Sequence, residues 1–166
     1  KPAVSVKMLL AQARYFFLSH QFQESSQRVE ALLLKDPGHR EGKLLKVELL
    51  AEAWKLDEAE RSCRQHLAAM PIDDEMMVLL SKVLRYKKDW PGALSMAEKA
   101  IATNPGSGRA HLAAAETYFW TRDYQKAEAA LLEALQRDPW LADARFAYGY
   151  AIWQRRNARQ LPQMAA

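Results

Sequence analysis

Apolar residues recur along this chain at helical spacing, and the pattern is plainest between residues 108 and 137. Ala114, Ala115 and Tyr118 fall on one face of a first predicted helix, and Ala127, Leu131 and Ala134 fall at i, i+4 and i+7 on a second. Arg122-Asp123-Tyr124 makes the turn between them. Asp123 is placed to accept hydrogen bonds from the free N–H groups that open the second helix. Asp89 holds the same slot earlier in the chain, followed by Pro91 in the first turn of a helix, where a missing N–H costs little. Asn157 holds it later and predicts another helix beginning near that residue.

Pro37, Pro71, Pro105 and Pro139 set the beat, each 34 residues from the next. Proline has no backbone donor and pushes its predecessor out of helical geometry, so each marks where a helix stops. Counting each as the 32nd position of a unit divides the chain into repeats 6–39, 40–73, 74–107 and 108–141, with a partial fifth over 142–166. No low-complexity stretch or linker interrupts them, which predicts one domain spanning 6–157.

Residue types keep the same beat. A small position in the first helix holds Ala13, Val47, Ser81, Ala115 and Gly149, and a large one after it holds Phe16, Leu50, Leu84, Tyr118 and Ile152. The second helix carries Ala59, Ala93 and Ala127, with Ser25 in the first repeat. In period and residue type together the chain resembles the tetratricopeptide repeat family over roughly residues 6 to 157. The resemblance implies an all-α fold, a right-handed superhelical solenoid of antiparallel helix pairs, in which no pair hides its apolar stripe alone. Repeat two departs most, with Lys43 and Lys46 at sites usually apolar, so its first helix is expected to lean or expose that edge.

Composition narrows the picture without redirecting it. The 166 residues are 49% apolar and 27% charged, a globular balance. The longest apolar run, Met76 to Leu80, falls far short of the ~20 residues of a membrane helix. Residues 1–83 carry 12 basic and 12 acidic side chains, and residues 84–166 carry 12 and 8, so the net charge of +4 sits in the second half. The chain opens at Lys1 with its first methionine at Met8, and is read as a segment of a longer protein with its compartment, cytoplasmic or periplasmic, left open.

The residue pattern offers no catalytic constellation. His20, His39, His66 and His111 are dispersed, and no glycine-rich phosphate loop occurs, since Pro105-Gly106-Ser107-Gly108 lacks a following lysine. Cys63 and His66 have the i, i+3 spacing of metal ligands, but both fall on inward positions of a second helix, where packing explains them. Asp73-Asp74-Glu75 precedes a helix and reads as a cap. The expectation is a protein that is not an enzyme, with no catalytic residue, metal, cofactor or small-molecule substrate.

Surface recognition remains. In the family that the chain resembles, the first helices line a concave wall. The matching positions in the second half include Lys82, Arg85, Tyr86, Arg109, Phe119, Trp120, Phe146, Tyr150 and Trp153. Aromatic and arginine side chains in a groove are the usual anchors of a partner segment, so these nine are the expected contact surface for a protein or peptide. The positions that would clamp a chaperone C-terminus hold other residues, among them Leu10, Leu45 and Glu75. Two other readings stand beside this one. The chain could be a structural spacer arm, as in bacterial exopolysaccharide export. It could also be a weak nucleic-acid binder through Arg155, Arg156 and Arg159, although cations at a helix end suit the dipole without any ligand. An apolar edge around Tyr148 and Ile152 invites self-association.

Overall fold

The helices begin where the proline period places them. The computed structural model describes the backbone of residues 4–164 and the side chains of residues 4–157, so the side chain of Arg159 lies outside the described residues. First helices start at Val6, Arg40, Asp74, Gly108 and Ala142, each 34 residues after the last. They are α1 (Val6–Leu18), α3 (Arg40–Glu52), α5 (Asp74–Tyr86), α7 (Gly108–Trp120) and α9 (Ala142–Met164). The second helices are α2 (Phe22–Lys35), α4 (Leu56–Ala69), α6 (Trp90–Thr103) and α8 (Tyr124–Arg137). Among the described residues there is no strand.

Local chemistry explains most of these boundaries, although α2 and α4 open without a side-chain cap. Ser5, His39, Asp73 and Ser107, again 34 apart, cap α1, α3, α5 and α7, their side chains accepting from the N–H of Met8, Gly42, Met76 and Ala110. Asp89 and Asp123 do the same for α6 and α8, accepting from Gly92 and Lys126. Between the helices of each pair, His20, Trp54, Lys88 and Arg122 take the left-handed conformation, with φ of 57°, 58°, 64° and 65°. The residue after each closes the helix by donating its N–H back into the last turn, Gln21 to Phe16 and Asp123 to Tyr118 among them. None of the four is glycine. The strain, of order 1–2 kcal/mol at each, must be offset by the packing of the helix that follows.

The chain divides into two compact units, Lys1–Pro71 and Ile72–Ala166. In the first, Ala13, Val29, Leu45 and Leu49 form a buried cluster flanked by Phe17, Phe22 and Leu33. The Ser25 hydroxyl, fully buried, donates to the Ala13 carbonyl at 2.8 Å and fixes how α2 crosses α1. Lys43 is half-buried and Lys46 exposed, and with His66 they border an open hollow of about 380 Å³ among α2, α3 and α4. Cys63 and His66 are buried, and burial pushes the Cys63 thiol up to about 12.

In the second unit, buried clusters draw on α5 to α9. Ala97, Ala113 and Ala114 pack with Val78, Leu94, Ile101 and Tyr118. Leu112, Ala115, Leu131, Ala134, Ala144 and Ala151 pack with Leu135, Leu141 and Tyr148. Small residues at the crossings let backbones approach: a Cβ on Gly108 would lie 3.0 Å from the Ala134 carbonyl oxygen. The Ser81 hydroxyl donates to the Ala93 carbonyl at 2.7 Å.

One expectation fails. The chain does not turn before Asn157, because α9 runs unbroken from Ala142 to Met164 and Asn157 lies inside it. In the complete repeats the fourth residue after the capping slot is Ser25, Ala59, Ala93 or Ala127, all fully buried at the crossing. The fifth repeat has Leu161 there, followed by Pro162, so a returning helix would bring a large side chain to a close contact. With no packing to offset a left-handed residue at Arg156, helical continuation wins. Arg155 instead pairs with Glu128 of α8 at 3.1 Å.

Candidate functional site

The nine residues expected to meet a partner all lie in the second unit, on α5, α7 and α9, and α7 touches both of the others. The structure sorts them into two groups. The first is charged. Arg85, only 9% exposed, reaches from α5 to Glu116 of α7 at 2.9 Å, and its guanidinium also lies 5.7 Å from the Tyr86 ring centre. Lys82 approaches the same ring at 5.6 Å. Burial raises the Glu116 carboxyl above its ordinary value, and the charge and hydrogen bond of Arg85 pull it partly back. Much of the Arg85 charge is therefore taken up by Glu116, where it ties α5 to α7.

The second group is a row of rings. Phe119 lies 5.2 Å from Tyr150, and Tyr150 stacks on Trp153 at 5.6 Å with planes 20° apart. Trp120 meets Phe119 edge to face and stacks on Trp90 at 6.3 Å with planes 11° apart. Trp120, Tyr150 and Trp153 are 60%, 41% and 54% exposed, so the row has a solvent face while its neighbours hold it in place. The Tyr150 hydroxyl accepts from Gln154 at 2.8 Å. Phe146, one turn before Tyr150, stands out into solvent. Arg109 is exposed at the opposite end of α7 from Trp120, about 16 Å along the axis at ~1.5 Å per residue, and joins neither group.

Trp90 and Tyr124 belong to the site without having been singled out, and Glu116, a wall position of α7, joins it as the partner of Arg85. Tyr124 lies 5.4 Å from Phe119 and supports the row from α8. A signal for the two rings was present, since Phe22, Leu56, Trp90 and Tyr124 are large residues 34 apart at the start of each second helix. Phe22 supports Phe17 in the first unit, at 5.7 Å, as Tyr124 supports Phe119.

Among the described residues no three His, Cys, Asp or Glu side chains converge as a metal site would require, and no helix is long and apolar enough to cross a membrane.

Residues 84–151 match the model of the tetratricopeptide repeat family. No curated protein matches the chain in sequence. Among solved structures, the chain is similar to TTC0263, a thermophilic tetratricopeptide repeat protein of Thermus thermophilus, with a TM-score of 0.82 at 19% identity over 89% of this chain and 81% of that one. It is similar to the MamA protein, with a TM-score of 0.63 at 16% identity over 90% and 82%. It is also similar to YrrB, described as a tetratricopeptide repeat protein with an unusual peptide-binding site, with a TM-score of 0.63 at 16% identity over 88% and 75%. The chain has the tetratricopeptide repeat fold, all-α and built of antiparallel helix pairs, a fold that typically serves protein interaction and is typically non-catalytic.

Proposed function

We propose that this chain is a non-catalytic binding module whose aromatic row receives an extended segment of a protein partner. The observation that carries the reading is the row itself, five neighbouring rings from Trp90 to Trp153 mounted on three helices, of which Trp120, Tyr150 and Trp153 are exposed. Rings on rigid elements give contact area at little entropic cost, which is why tryptophan and tyrosine dominate binding hot spots. The description of YrrB as a peptide binder supports the choice of a peptide as ligand. In this reading Trp120, Phe119, Tyr150 and Trp153 are the anchors. Lys82, Tyr86 and Phe146 form the rim, Arg85 holds α5 to α7 through Glu116 behind it, and Arg109 offers a separate charge at the far end of α7.

The test selects peptides from a random displayed library on the parent protein and measures their affinity for the Trp120→Ala/Trp153→Ala variant. Losing a hot-spot tryptophan costs about 2 kcal/mol or more, about 30-fold in affinity. Equal affinity for parent and double variant, with helicity intact by circular dichroism, refutes the assignment.

A further inference from the structure

Repeat two holds a feature that the peptide-binding reading leaves unused. One repeat after Lys43 and Lys46 stand Met77 and Leu80, both buried, and Met77 meets the Thr103 hydroxyl at the end of α6 at 3.9 Å. The places that correspond to Met77 and Thr103 in repeat two are Lys43 and Ala69, and both border the open hollow of about 380 Å³ among α2, α3 and α4. A lysine keeps its ammonium in water where methionine or leucine would pack, so this helix pair is left unfilled. The hollow falls within the ~300–1,000 Å³ of small-molecule sites.

Its charge is one-sided. Lys43 and Lys46 share a face of α3, no residue three or four places from either is acidic, and among the described residues neither forms an ion pair. Among the described residues no carboxylate lines the hollow, while Glu30 and Glu58 border a neighbouring one that shares Lys46. Ser62 and Gln65 of α4 add a hydroxyl and an amide, and Leu33 and Val47 an apolar wall. Two like charges side by side repel, and a doubly charged anion set between them replaces that repulsion with attraction. We infer that the hollow binds a small organic phosphate monoester, its head between Lys43 and Lys46 and its apolar body against Leu33 and Val47. Such a head carries about two negative charges at neutral pH, which matches the two ammonium groups. The ligand is held without turnover.

Isothermal titration calorimetry of the 166-residue protein with 1-naphthyl phosphate at low salt tests this. Saturable binding at one site is expected. Lys43→Met/Lys46→Leu, which installs the residues of repeat three, should bind about tenfold more weakly or worse, from the loss of two exposed charge pairs. It should melt no lower than the parent, because apolar side chains then fill the gap. Ser62→Glu keeps both lysines, supplies a carboxylate inside the hollow and should weaken binding by a similar factor. Trp120→Ala/Trp153→Ala should bind the phosphate as the parent does, which separates this site from the aromatic row. The inference is overturned by an absence of saturable heat up to millimolar ligand, by 1-naphthol or 1-naphthoate binding as tightly as the phosphate, or by undiminished binding in the lysine variant. Loss of binding in the tryptophan variant overturns it too. Failure to select any peptide leaves the calorimetry unaffected and bears only on the peptide reading.

Discussion

Arg85→Met is the most discriminating change in the second unit, because it removes one charge of a covered pair and keeps the aliphatic stem. Taking away one partner of a buried ion pair costs about 3–5 kcal/mol, mostly because the other charge is stranded. Glu116 is 35% exposed, so water compensates in part and a loss of about 2–3 kcal/mol at pH 7.5 is expected. The double variant Arg85→Met/Glu116→Gln leaves no stranded charge and should lie within about 1 kcal/mol of the parent. The Glu116 carboxyl is already raised above 4.5, burial being the larger cause, and loss of Arg85 raises it further. A carboxyl raised in the folded state binds protons that the unfolded chain has released, so stability increases as pH falls through the folded value toward 4.5. The gap between Arg85→Met and parent should therefore narrow between pH 7.5 and pH 5. Urea unfolding followed by tryptophan fluorescence measures this, since Trp90, Trp120, Trp140 and Trp153 all lie in this unit. A single variant losing under about 1 kcal/mol, or a double variant as unstable as the single, refutes the stranded-charge argument.

Tyr118→Ala should cost about 2–3 kcal/mol, less than the ~3–5 of a fully buried aromatic because Tyr118 is half-buried. Calorimetry should show a broadened transition, as expected where repeats interact with neighbours only, and a melt like the parent's would place the ring outside the core. The Cys63 thiol, held at about 12, should react with a thiol reagent at pH 8 only after unfolding in urea, and labelling of the native protein at the rate of a free cysteine would contradict its burial.

Much of the fold was legible in the sequence because proline stops and capping side chains act locally. Pro37 and its successors stop helices through their own geometry, and the caps at Asp73, Asp89 and Asp123 are read from a side chain and the turn after it. The rest depended on contacts across helices. Arg85 looks like a groove cation until Glu116, 31 positions on, is seen beside it. Trp90 looks like a helix-starting residue until Trp120 lies flat against it. Asn157 fits its slot as well as Asp123 does, yet a turn needs a helix able to return, and that depends on the size of the residue at the crossing, not on the cap. The left-handed backbone at Lys88 and Arg122 carries no glycine to announce it.

Two hydroxyl bonds described above share a geometry in mirror roles. Ser25 of α2 donates across to Ala13 of α1, and in a later repeat Ser81 of α5 donates across to Ala93 of α6, so donor and acceptor have exchanged helices. A helical carbonyl has a lone pair to spare, and either side of the crossing can supply the hydroxyl that finds it. The joint is therefore reversible as a matter of sequence: Ser81→Ala with Ala93→Ser keeps one small side chain, one oxygen and one acceptor in the same space. Repeats can drift apart in composition at this point while the angle between their helices is inherited unchanged.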